Sequence, residues 1–574
     1  MCRICGSQDG LPYSGKKTNT RTGLGETGYR GMRMEAAFEQ WWPWTGHLPE
    51  LQQCNMKASE ITRRDFLRTA GGAAAMVAAG LGGCSIKPNS TSMNNRSDTL
   101  KRKPNIVYVL ADQLRYQSCG YAGDAQAYTP NIDRMAGAGI SFTNAVVSMP
   151  VCSAYRASLF TGKYVTSTGM VINELRMNPD HECLGHCLTR GGYQTGYIGK
   201  WHLWANQLGN HHDPKNSYVP PGPYRLGFDG YWAGYNFHHE YYNAYYHTDS
   251  HEKLSYGEGV YEPDGQTEMA IEYINRHKDD EQPFALFLSV GTPHDPWSRN
   301  NVPAEWYERF KEMKFPPALN YRQEKDEAYG DAWSNIHKSP ELIEQWKRVY
   351  YAMTANLDWN VGRLRQAIRA AGLENDTILV FTSDHGEMFG GHGRMKKNIF
   401  YDEAARVPFL VTWPGTIAAG SESEACISNV DIMPTLLGLA NIPAPAAVEG
   451  MDVSGRVLGR AGKEPEFAFL QNTGACASWE NGHEWRALRD KRFTYAVYRA
   501  DGNEVLFDNN ADPYQETNLA GEDEYRDVLE LCRQRMKAKM AALNDTFEES
   551  TWYREHWIDG KRNIIAAARG RFRS

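Results

Sequence analysis

A chain of 574 residues, 41% apolar and 12% aromatic, can bury a large core, which excludes a disordered or fibrous protein. Its net charge of −7 is uneven: residues 1–55 hold six basic and five acidic groups and 56–103 nine and three, so the chain from 104 onward carries −14. A body that acidic does not steer nucleic acid or any other polyanion from a distance, so an anionic substrate has to be held by cations inside a pocket.

Residues 1–55 show no sustained hydrophobic period and are expected to be a mis-assigned or disordered extension, with Met56 as the working start. In 56–84, Arg63 and Arg64 followed by Asp65, Phe66 and Leu67 precede an apolar run rich in Gly and Ala, too short to span a membrane comfortably. This looks like a twin-arginine export signal. Leu81-Gly82-Gly83-Cys84 approximates a lipobox, which makes Cys84 a candidate lipid anchor. The expectation is a bacterial protein exported by the Tat machinery, periplasmic or held as a membrane-anchored lipoprotein. The polar, basic residues 85–103 are the linker.

The folded body starts at about 104. N-I-V-Y-V-L (105–110) is the run of a strand buried on both faces, and it ends at Asp112 and Gln113. An acidic residue just past such a strand is how open α/β sheets build sites. T-P-N-I-D-R-M-A-G-A-G-I-S-F (129–142) predicts a helix and then a strand, leading into M-P-V-C-S-A-Y-R-A-S-L-F-T-G (149–162). The eleven cysteines have no paired spacing, so no disulfide framework is indicated. Cys183 and Cys187 sit one turn apart on a helix ending at Gly191–Gly192, which argues against zinc.

Further strands are predicted before Lys200 and His202 (G-K-W-H-L), before His294 (283–296) and before Asp384 and His385 (375–387). Two acidic strand ends far apart in sequence are what a split metal site requires. Residues 224–247 crowd Tyr, Trp and His together, as either a sugar-stacking wall or a packed surface insertion would. G-H-G-R-M-K-K (391–397) holds His392 and Lys397, with Lys396 as a solvated neighbour. Beyond about 440, short alternating segments predict an antiparallel sheet, followed by an amphipathic helix near 523–543.

C-S-A-Y-R from Cys152 to Arg156, followed by Leu159, Thr161 and Gly162, closely resembles the activation signature of the type I sulfatases of the alkaline phosphatase superfamily. The commonest form there is C-x-P-x-R, and Ala154 replaces the proline. G-K-W-H-L resembles the family's second signature, and the order of motifs from 104 to 545 is similar throughout.

The resemblance implies an α/β fold, alkaline-phosphatase-like, with a large mixed, mostly parallel sheet flanked by helices and a smaller C-terminal antiparallel-sheet subdomain. The catalytic domain would span 104–440 and the C-terminal α+β subdomain 441–555, with 556–574 left as a basic tail. It implies that Cys152 is oxidised to Cα-formylglycine, and Ala154 suits a radical, anaerobic-type maturation enzyme. The metal ligands would be Asp112, Gln113, Asp384, His385 and residue 152 itself. Oxygen-rich ligation favours calcium, or alternatively magnesium, and His385 leaves manganese open.

By the same resemblance, Arg156 and His202 hold and activate the hydrated aldehyde, Lys200 and Lys397 bind sulfate oxygens, and His294 or Lys397 protonates the departing alcohol. The expected function is hydrolysis of a sulfate ester on a sulfated saccharide. The alternative is a phosphonate monoester or phosphodiester hydrolase of the same superfamily. Asn173 as a substrate contact favours that branch, and the intact G-K-W-H opposes it. A binding protein with an unconverted Cys152 would not need both lysines and His294. Peptide mass spectrometry of active enzyme is expected to show residue 152 lighter by about 18 Da, a loss that ordinary cysteine oxidation, which adds oxygen, cannot produce. Cys152→Ala is expected to lose several orders of magnitude in rate.

Overall fold

The computed structural model describes residues 103–205, 216–326, 328–336, 338–560 and 562–573. The twin-arginine segment, Cys84 and linker residues 85–102 lie outside the described residues. In chain order the strands are β1 (Asn105–Asp112), β2 (Ile140–Phe142), β3 (Gln194–Lys200), β4 (Tyr231–Tyr235), a short hairpin of β5 (Tyr245–Tyr246) and β6 (Leu254–Ser255), β7 (Phe284–Pro293), β8 (Thr377–Ser383), β9 (Phe409–Thr412) and β10 (Ser421–Ser423). Apart from the hairpin they form one sheet in the order β10-β2-β9-β8-β1-β7-β3-β4. Only β9 runs against its neighbours; every other pairing in this sheet is parallel.

The central position of β1 explains its unbroken apolar run. Ile106, Tyr108 and Leu110 enter a core shared with the helices Cys152–Thr161, Leu184–Arg190 and Asn429–Leu439. Val107, Val109 and Ala111 enter a second core, under Pro130–Ala138, Glu262–His277 and the 31-residue helix Pro340–Ala370. Every residue of β1, β7 and β8 is buried, as parallel strands covered on both faces must be. Cys183 and Cys187 are buried in the first core, and burial pushes both thiols up, so they are packing groups.

The C-terminal sheet is an antiparallel meander of β11 (Ala468–Asn472), β12 (Trp485–Arg489), β13 (Phe493–Tyr498) and β14 (Glu504–Asp508). One face carries the helix Arg526–Leu543, with Phe469, Leu488 and Leu506 against Leu529, Met536 and Leu543. The other face, through Leu470, Ala487, Ala496 and Phe507, packs on Ile399, Phe400 and Tyr401. The segment after Lys397 is therefore clamped by this sheet, and the Trp485 indole donates to Asn398 O at 3.3 Å. The basic tail is built into the fold: Arg176 N donates to Arg562 O at 2.7 Å, and Ile564 and Ala566 join the first core.

Arg486 and Asp545 are both fully buried and tie the sheet to the end of its helix. Nε and Nη2 of Arg486 reach the two carboxylate oxygens at 2.5 and 2.7 Å. Burial alone would raise the Asp545 pKa, but Arg486 holds it below the usual carboxylate value. Its stabilisation is therefore present above the unfolded pKa of about 4 and fades as acid takes the pH down through the lower folded value. Asp545→Ala would leave a buried, unpaired guanidinium and is expected to destabilise the fold by about 3–5 kcal/mol, measurable as a lowered urea midpoint at neutral pH.

Candidate active site

The site is assembled by strand register. β1 pairs with β8 so that Ala111 faces Ser383, and the next residues, Asp112 and Asp384, leave the sheet side by side. Asp384 N donates to Ala111 O at 3.1 Å, which locks the two strand ends together. Asp112 pairs with Pro293 of β7, one residue before His294. Gly199 of β3 pairs with Ser289, one residue before Lys200. That contact requires glycine: φ is +98°, and a Cβ would lie 2.1 Å from Ser289 O. Gly386 lets the turn after His385 close on the chain opposite, where a Cβ would meet Glu403 O at 2.0 Å.

Cys152 opens the wholly buried helix Cys152–Thr161, and Arg156 lies one turn along the same face. Cys152 Sγ is 3.1 Å from His385 Nε2, 3.2 Å from Lys397 Nζ and 3.8 Å from Asp112 Oδ1. Ligand-type atoms of Asp112, Cys152, Asp384 and His385 all lie within 4.8 Å of one another. His385 Nδ1 donates to Gly386 O at 2.9 Å, so Nε2 points its lone pair into this cluster. Burial takes the His385 pKa down to about 4, keeping the ring neutral as a ligand must be. Gln113 is held in a left-handed conformation at φ +69°. It donates to Glu387 Oε2 at 2.7 Å and accepts from Lys397 Nζ at 3.2 Å.

The charges are tightly balanced. Lys200 Nζ lies 2.5 Å from Asp112 Oδ2. Arg156 Nη2 lies 3.2 Å from Asp384 and 3.5 Å from Asp112, while Nη1 donates to Lys200 O and Ser289 Oγ, both at 2.7 Å. Burial opposes ionisation of Asp112, yet Lys200 and its other basic neighbours hold it well below the usual range. Asp384 goes the other way, up to about 6, through burial and the like charge of Asp112. Burial and Asp112 work against the Cys152 thiolate, but Lys200 and Lys397 outweigh them and bring the thiol down to about 7. His294 Nδ1 donates to Asp295 O at 2.9 Å, and its Nε2 accepts from Lys397 Nζ at 3.0 Å. Burial and Lys397 keep His294 uncharged. A cavity of about 90 Å³ opens over Cys152, His294 and Lys397, with Asn173 and Glu174 in its wall. Two carboxylates, a bare imidazole nitrogen and an amide oxygen form a donor set that fits a hard divalent cation, and the lysines above it suit a tetrahedral oxyanion.

Residues 104–442 match the family model described as Sulfatase. The chain belongs to the sulfatase family. It is a sulfuric ester hydrolase of the alkaline phosphatase superfamily. Residues 390–543 also match the model "N-sulphoglucosamine sulphohydrolase, C-terminal", and 60–80 match a twin-arginine translocation signal. An ulvan-active sulfatase of Formosa agariphila is 35% identical over 467 residues, covering 80% of this chain and 86% of that one. An arylsulfatase of Clostridium perfringens is 29% identical, covering 75% and 93%. Among solved structures, a Bacteroides fragilis chain assigned to the sulfatases superposes with a TM-score of 0.67 at 30% identity, covering 83% of this chain and all of that one.

In this sulfatase the fold gathers Asp112, Gln113, Cys152, Arg156, Lys200, His294, Asp384, His385 and Lys397 around one point. His202 stands at the side, its Nε2 3.0 Å from Glu174 Oε1, and its backbone is left-handed at φ +57°. Asn173 Oδ1 accepts from Ser153 N and Ser153 Oγ, at 3.1 and 2.7 Å, so it pins the first turn of the Cys152 helix from the cavity wall. Arg156 directs Nη2 at the two carboxylates and Nη1 at Lys200 O and Ser289 Oγ. Lys396 is not the solvated neighbour that its sequence suggested: its side chain is 13% exposed and lies 2.5 Å from Asp295. Glu174, Ser289, Asp295 and Glu387 carry no motif of their own and enter only through the fold. If the cluster holds a divalent cation, Asp112→Asn and Asp384→Asn are each expected to purify with less bound metal by elemental analysis. Chelation is expected to abolish turnover, and added calcium or magnesium to restore it.

Proposed function

We propose that the protein hydrolyses sulfate monoesters on saccharides, with residue 152 as formylglycine. The observation that carries this reading is the convergence of Lys397, His294 and Lys200 on Cys152 and its carboxylate cluster. A sulfate monoester spreads its charge over three oxygens, and two fixed ammonium groups meet that charge as the ester bond breaks. A formylglycine at 152 would supply a hydrated aldehyde whose hydroxyl attacks sulfur. A cation held by Asp112, Gln113, Asp384 and His385, calcium or magnesium by its oxygen donors and manganese through His385, would supply Lewis acidity.

The remaining work falls to side chains. Arg156 holds Asp112 and Asp384 in place through its Nη2 contacts. Lys200 and Lys397 take sulfate oxygens. Lys397 Nζ supplies the proton for the leaving oxygen, directly or relayed through His294 Nε2, to which it already donates. His202 takes the proton released by the nucleophile at Nδ1, the nitrogen that Glu174 does not engage; loss of the second hydroxyl's proton would then break the C–O bond to the bound sulfate, releasing it and restoring the aldehyde.

The relatives point to saccharides: besides the ulvan-active sulfatase, an endo-4-O-sulfatase and an N-acetylglucosamine-6-O-sulfatase of Bacteroides thetaiotaomicron are similar over most of their length. The second reading, a phosphonate monoester hydrolase, has a relative in fold from Agrobacterium radiobacter (TM-score 0.60, 23% identity), and Asn173 sits in the cavity wall as that reading wants. Lys200 and His202 favour the sulfatase reading over it. The proposal extends to the whole chain: Tat export to the periplasm, with Cys84 as the candidate lipid anchor and 85–103 as tether, after a radical-type enzyme has matured Cys152 in the cytoplasm. Within it, 104–440 is the catalytic domain and 441–555 the subdomain that steadies Lys397.

Lys200→Ala is expected to lower kcat/KM for a sulfate ester by about a hundredfold or more, the scale of one oxyanion contact. The wild type is expected to prefer a sulfate ester over a matched phosphonate monoester in the same preparation, and the reverse preference would move the assignment to the second reading.

A further inference from the structure

Two residues at the cavity remain without a part in the chemistry. Trp333 lines the cavity that holds Cys152, yet is 41% exposed. Its turn is fastened to the two segments that also build the cavity. Asp331 Oδ2 accepts from Cys476 N at 2.7 Å, Ser334 Oγ donates to Asp331 O at 2.7 Å, and Met395 N donates to Ser334 O at 3.1 Å. An indole held by a hydrogen-bonded turn at the mouth of a polar site offers a ligand an apolar face.

His239, in the same lining, stacks on His294 with ring centroids 3.9 Å apart and planes 5° from parallel. Phe237 packs edge-on against its ring at 4.5 Å. Both ring nitrogens are shut off from solvent, and neither has a hydrogen-bond partner in the protein. Buried polar atoms left in this state cost stability, and they are normally satisfied by something that binds. Burial holds the ring neutral, with one donor and one acceptor nitrogen. Either nitrogen can pair with a hydroxyl, which both donates and accepts. The acceptor nitrogen does not match a second sulfate, which only accepts.

We propose that Trp333 and His239 form the saccharide subsite of this enzyme, specificity-determining residues that grip the pyranose ring bearing the scissile sulfate. Trp333 stacks on the ring's C–H face and His239 hydrogen-bonds a ring hydroxyl beside the ester. This rests on the sulfate-ester reading above and adds what lies beyond the sulfate.

The test compares kcat/KM for two substrates in each variant: the best-cleaved member of a panel of defined sulfated saccharides, and 4-nitrophenyl sulfate. His239→Phe keeps the stack on His294 and deletes both nitrogens; Trp333→Ala deletes the platform and Trp333→Phe restores part of it. The ratio of saccharide to aryl activity is expected to fall about tenfold or more in Trp333→Ala and in His239→Phe, and to recover partly in Trp333→Phe. A ratio that stays within about twofold of wild type in both, whether activity is kept or lost equally on both substrates, overturns the subsite. A wild type that cleaves the aryl ester and no saccharide overturns it as well. A wild type that releases sulfate from neither overturns the underlying reading instead.

Discussion

The structure depends on the parallel register of four neighbouring strands, β8-β1-β7-β3, which end on the same side of the sheet. Backbone hydrogen bonds deep in a dry core set that register. A one-residue slip would turn the side chains of a strand from one core to the other, so it is strongly held. The price of such a site is two buried carboxylates side by side, and the sheet brings their countercharges with it: Lys200 from the end of β3, and Arg156 from a helix with no exposed face.

That balance explains how an acidic protein can handle an anionic ester. The body carries −14, yet Lys397 lines the cavity and Lys200 lies behind it on Asp112, both shielded from solvent and from salt by burial. The two carboxylates are pulled apart in pKa, Asp112 down and Asp384 up to about 6, as expected of like charges sharing a site. A divalent cation held between them would relieve that conflict.

The C-terminal sheet adds no group to the cluster of Asp112, Cys152, Asp384 and His385, yet it matters to the site. The segment after Lys397 runs across the face of that sheet, with Phe400 and Tyr401 in the shared core and Asn398 held by Trp485 and Gly474. Lysine has a long, flexible stem, and fixing its backbone from outside is how a single ammonium can be aimed at Cys152, His294 and Gln113 together.

The residue order alone determined the elements that are buried on both faces, the acidic ends of β1 and β8, and the segment from Cys152 to Arg156. These follow from short-range physics: β-branched apolar runs, polar residues at strand ends, and a motif whose chemistry is local to five residues. Strand-end pattern by itself showed the candidate metal cluster as two halves, and only the family resemblance joined them, because no spacing in the chain says that 112 and 384 are neighbours. Tertiary packing alone decided that Arg156 buttresses carboxylates, that Lys396 is paired with Asp295, that Glu174 holds His202, and that Trp333 stands at the cavity mouth. Each of these contacts joins segments dozens to hundreds of residues apart or depends on which way a side chain turns at a sheet end. Local pattern carries no record of either.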